Sequence, residues 1–153
     1  MHRAWIPIAI SAAVLAFGTT PANAATTYQL SGLEVQRSPA TFVGTLANQP
    51  GIWIATILHA PLNTAPGGTT SITGGSFSIT TFSPFTVVPG AITTGLITAG
   101  PVTVFNPWSC RQRFSVVGSL TAGSFAGVLT HYGFPSGGGC FPLAASFVGS
   151  ATL

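Results

Sequence analysis

From Thr27 to the end of the chain, apolar and polar residues alternate in short runs, and no stretch keeps its apolar residues on one helical face. Eight runs carry this period of two: Thr27–Leu30, Thr41–Ala47, Gly51–His59, Thr69–Phe82, Ala91–Thr98, Arg113–Leu120, Ser124–Tyr132 and Leu143–Leu153. They are rich in Thr, Val, Ile and Phe, which suit a pleated surface, and Gly, Pro, Ser or Asn breaks the chain between them. Strands at this spacing predict an all-β domain: a small closed antiparallel β-barrel of about eight strands, with a β-sandwich as the alternative. Closure is favoured because open sheet edges are commonly guarded by Lys, and this chain has none.

The residues before these runs read as an export signal. Met1-His2-Arg3 is a basic start, Ala4–Phe17 an apolar stretch, and Ala22-Asn23-Ala24 the small-x-small pattern of a cleavage site. Residues 1–24 are therefore expected to be removed, leaving 25–153 as one domain. No later apolar stretch is long enough for a membrane helix. The expected location is extracytoplasmic: secreted, at the cell surface or in the periplasm. Cys110 and Cys140, the two cysteines of the chain, are then expected to form a disulfide.

Charge is scarce: 3% of residues, against about a quarter in an ordinary domain. Beyond Ala24 the charged side chains are Glu34, Arg37, Arg111 and Arg113. With so few cations and no basic run, nucleic acid is not an expected partner. Paired-carboxylate glycoside hydrolysis needs two acids, and the sequence holds one. No GxSxG elbow, phosphate-binding glycine loop or Schiff-base lysine is present. A Ser-His-acid triad would have to draw on Glu34, and a disulfide removes both thiols.

The segments Trp53–His59 and Phe125–His131 resemble one another. Each alternates aromatic, small and aliphatic residues, ends in His, passes through a Pro- and Gly-containing connection, and returns in a strand carrying Ser-Phe (Ser76-Phe77, Ser146-Phe147). A duplicated hairpin would account for this. Period two puts Trp53, Ala55, Ile57 and His59 on one face, and Phe125, Gly127, Leu129 and His131 on the corresponding one. Both histidines are thus expected to point inward where the core meets the turns, at one end of the barrel.

These residues define the candidate sites. Trp53, Ile57, His59, Phe125, Leu129 and His131 are the candidate ligand-binding set. His59, His131, Tyr132 and Glu34 are the weaker candidates for acid–base chemistry or a metal. Two histidines fall short of the three protein ligands usual at a catalytic zinc, so no metal or other cofactor is expected. Arg111 and Arg113 are expected to face solvent. Phe82, Phe85, Phe105 and Trp108, beside the turns FSPF and FNPW, are expected to plug the barrel ends. The expected function is non-catalytic binding of a small hydrophobic ligand or a cell-envelope surface. A self-associating envelope protein and a His-centred enzyme or metal protein are the alternatives.

Overall fold

The structure, a computed structural model, describes residues 24–153. The expected export segment, residues 1–24, lies outside the described residues except for Ala24. The described chain forms a closed antiparallel barrel in which each strand pairs with the next and β8 returns to β1. Its eight strands are β1 (Thr27–Arg37), β2 (Ala40–Leu46), β3 (Gly51–His59), β4 (Thr69–Phe82), β5 (Phe85–Asn106), β6 (Ser109–Leu120), β7 (Gly123–Ser136) and β8 (Gly139–Thr152). Closure seals the ladder, with Thr27 opposite Thr152 and Leu33 opposite Ser146.

Two strands run well beyond their predicted limits. β1 continues through Gly-Leu-Glu-Val-Gln-Arg, and β5 passes through two prolines that argue against a strand interior. Pro101 is accommodated because the β5–β6 register shifts between Ala99 and Val102, leaving it outside the regular ladder.

Inward-facing side chains form the core. Trp53, Phe77, Phe125 and Phe147 fit into so narrow a barrel because glycines face them. A Cβ on Gly32 would meet the Trp53 ring at 2.7 Å and one on Gly127 the Phe147 ring at 2.5 Å, while Gly118 and Gly90 lie still closer under Phe125 and Phe77. These glycines are sequence-local weaknesses that provide room for aromatic burial, each ring being worth more buried than the glycine costs in the strand. Trp53 also donates its indole N–H to the Ser31 carbonyl at 3.1 Å, so its one polar atom is satisfied.

The β1–β2, β3–β4, β5–β6 and β7–β8 turns share one end of the barrel, called here the upper end. The β3–β4 connection folds across it. Gly67 donates to the Ala99 carbonyl at 2.7 Å, and Ala99 donates back to Gly68 at 2.8 Å. Gln112, fully buried, donates its amide to the carbonyls of Thr64 at 2.6 Å and Gly100 at 3.0 Å, and accepts from the Cys140 N–H at 3.4 Å. The Cys110–Cys140 disulfide joins β6 to β8 beside it, with Cα atoms 5.8 Å apart. The turn of β7–β8 uses Gly137 and Gly138 at φ +56° and +81°, a conformation L side chains rarely adopt.

The loop aromatics do not plug the ends. Phe82, Phe85, Phe105 and Trp108 are all more than half exposed, Trp108 at 84%. The hairpins carry them past the barrel rim, and the β3–β4 connection, Gln112 and the disulfide instead cover the part of the upper end beside β5 and β6. Arg113 faces solvent as expected, while Arg111 is half-buried, its guanidinium 5.7 Å from the Phe105 ring centroid.

The two similar hairpins, β3–β4 and β7–β8, stand on opposite walls, four places apart in the ring of eight strands. Their registers differ by two residues: Phe77 faces Ala55, the third residue of its segment, whereas Phe147 faces Leu129, the fifth.

Candidate functional site

β3 and β7 run in the same direction, so His59 and His131 arrive at the same end of the barrel. Both line a single pocket of about 150 Å³ beneath the upper rim. Its inner surface is apolar, made by Phe42, Ile57, Ile97, Val116, Leu129 and Phe147, and Leu62 and Pro142 overhang it from the β3–β4 connection and β8. Glu34 and Arg37 from β1 complete the mouth.

Period two alone places Glu34 and Arg37 on opposite faces. A bulge at Val35 reverses the phase: Glu34 pairs with Phe42, Gln36 with Thr41 and Arg37 with Ala40. Since Phe42 and Ala40 both point inward, the bulge turns the acid and the guanidinium into the same pocket. Arg37 Nε lies 4.0 Å from Glu34 Oε2, with the Glu34 side chain 11% exposed and Arg37 48%. Burial raises the Glu34 carboxyl above its ordinary pKa, against the opposing pull of Arg37 and then His59.

The two imidazoles differ. His59 is only partly buried, and its Nδ1 lies 2.6 Å from the Ala60 carbonyl, an arrangement that requires the proton on Nδ1. His131 is 6% exposed, its ring 4.8 Å from the centroid of Phe114, and its Nδ1 is buried with no hydrogen-bond partner. Burial first, then the positive charges of Arg37 and His59, lower its pKa to about 4. At neutral pH His131 is therefore an uncharged ring with one donor and one acceptor.

The remaining candidates separate from this cluster. Ile57 and Leu129 belong to the pocket, but Trp53 and Phe125 lie deeper, around a void of only about 30 Å³ among Leu30, Ile79 and Leu120. Tyr132 is 46% exposed and pairs with Arg111 on β6, on the outer wall. Among the described residues, no group of three His, Cys, Asp or Glu side chains is placed to hold a metal ion. Sequence reasoning passed over Arg37 as a site residue because its inward turn depends on the Val35 bulge, which alternation does not reveal, and it passed over Ala40 and Phe42 because nothing along β2 shows that their inward face meets this pocket.

No family model, curated protein or solved structure matches the chain.

Proposed function

We propose that the protein is a small-ligand carrier or sensor of the extracytoplasmic space, non-catalytic, holding an amphipathic molecule in the upper pocket. The observation that carries this reading is the pocket itself: an apolar floor enclosing about 150 Å³, with Glu34, Arg37 and His59 about its mouth and His131 in its wall. That volume matches an engineered apolar cavity that accepts benzene, so the buried part of the ligand is a single ring or a short acyl chain. The rest of the barrel is filled by its own side chains. The disulfide is consistent with an oxidising compartment outside the cytoplasm.

The test is saturable binding of a small apolar probe to the oxidised protein, compared with Ala40→Leu. Ala40 lines the pocket opposite Arg37, and three added carbons occupy its space. The expected outcome is a loss of affinity of at least tenfold in a folded variant. Native mass spectrometry of protein recovered from its source should show the ligand's added mass, and absence of saturable binding by any small probe would refute the proposal.

A second reading rests on a different surface. Leu33, Val43 and Ile54 form one row across β1, β2 and β3, each at least 40% exposed and each directly paired with the next. No charged side chain interrupts the row, so two copies could meet there without electrostatic opposition. Sedimentation at rising concentration checks it: association abolished by Val43→Glu supports this reading, and a monomer throughout excludes it.

A further inference from the structure

We infer that the upper pocket selects neutral, hydroxyl-bearing molecules of the phenol or short-alcohol class, with the His131 imidazole as the group that recognises the hydroxyl. This rests on the pocket reading above and narrows it.

The first observation is the buried, unpartnered Nδ1 of a side chain that lines the pocket. Buried polar atoms in proteins are nearly always paired, so an orphan on a side chain that lines a cavity points to a partner supplied from outside. No hydrogen bond at that atom opposes a half-turn of the ring about χ2, which would present it to a ligand. A neutral imidazole offers one donor and one acceptor, and a hydroxyl answers either.

The second observation is charge balance. Glu34 and Arg37 oppose each other across 4.0 Å at the mouth. A ligand carboxylate drawn to Arg37 meets Glu34, and an ammonium drawn to Glu34 meets Arg37. A neutral ligand meets neither penalty. The third is size: the apolar floor has space for one six-membered ring, with its hydroxyl reaching the wall that carries His131.

The experiment uses the oxidised full domain and four probes of one ring each: phenol, toluene, benzoate and benzylamine. Binding is followed by ligand-observed NMR, and the His131 imidazole by its own 15N resonances. The expected result has three parts. Phenol moves the His131 nitrogen resonances and toluene does not; benzoate and benzylamine bind more weakly than phenol; and His131→Leu weakens phenol about tenfold, the worth of one hydrogen bond, without weakening toluene.

Equal loss of phenol and toluene in His131→Leu, or tighter binding of either charged probe, overturns the inference while leaving a ligand pocket in place. If none of the four binds, the inference and the pocket reading fall together. Should His131→Leu not fold, the wild-type resonances decide alone: unmoved by saturating phenol, they overturn the assignment.

Discussion

Protonating His131 works against the fold. Its pKa is about 4 in the folded protein against 6.5 for the free side chain, so between those values the unfolded chain binds a proton that the folded one refuses. Stability is accordingly highest above about pH 6.5 and falls as pH drops toward 4, by roughly 3 kcal/mol over the window. Glu34, the neighbouring acid, acts in the opposite sense. Its raised pKa favours the fold at low pH, and that contribution fades as pH rises through the folded value. Urea unfolding from pH 4 to 7 should therefore show a positive slope in wild type that vanishes or turns negative in His131→Leu, where Glu34 is left to act alone. At pH 7 the same variant should be more stable than wild type by about 1 kcal/mol, since it removes an unpaired buried nitrogen. A loss of stability there would mark His131 as a structural residue instead.

The strands owe their arrangement to pairs of residues on neighbouring chains. Phe125 lies on Gly118, its partner across the β6–β7 ladder, with no room for a Cβ between them. Gly118→Val should displace the ring and cost about 1–3 kcal/mol in chemical denaturation, whereas the outward Val117→Thr on the same strand should be nearly neutral. Strand identity was legible in the sequence because alternation is local: all eight runs became strands, and the inward faces of β3 and β7 were those read from Trp53 and Phe125. Closure was legible only as a preference. The Val35 bulge and the passage of β5 through Pro101 were not legible, although the alternation that turns Phe114 and Val116 inward does the same for Gln112. Each depends on what the neighbouring strand presents at that height, which no window along a single strand contains. The candidate site was half visible for the same reason: the two histidines followed from period two, while Arg37 entered the pocket through a break in it.

On the scale of the whole barrel, the disulfide and the β3–β4 connection together decide how the upper end behaves. The cross-link spans a separation of 30 residues, which by loop-closure entropy contributes about 3–4 kcal/mol. Replacing Cys110 and Cys140 with Ala should lower stability by that order. It should also speed amide exchange at Gly67 and Ala99, whose N–H groups tie the β3–β4 connection to β5, more than in the lower core around Ile79. Equal acceleration everywhere would show that the bridge supports the barrel as a whole rather than its upper closure. The described residues also divide sharply by charge. Glu34, Arg37, Arg111 and Arg113 all belong to the upper portions of their strands, and the lower turns at Ala47–Pro50, Ser83–Pro84 and Thr121–Ala122 carry no charged side chain. Such a molecule has a heading. Any contact made through the lower end, from which β1 starts and at which β8 finishes, would leave the mouth of its pocket turned toward the water, so that attachment and ligand capture need not compete for the same face.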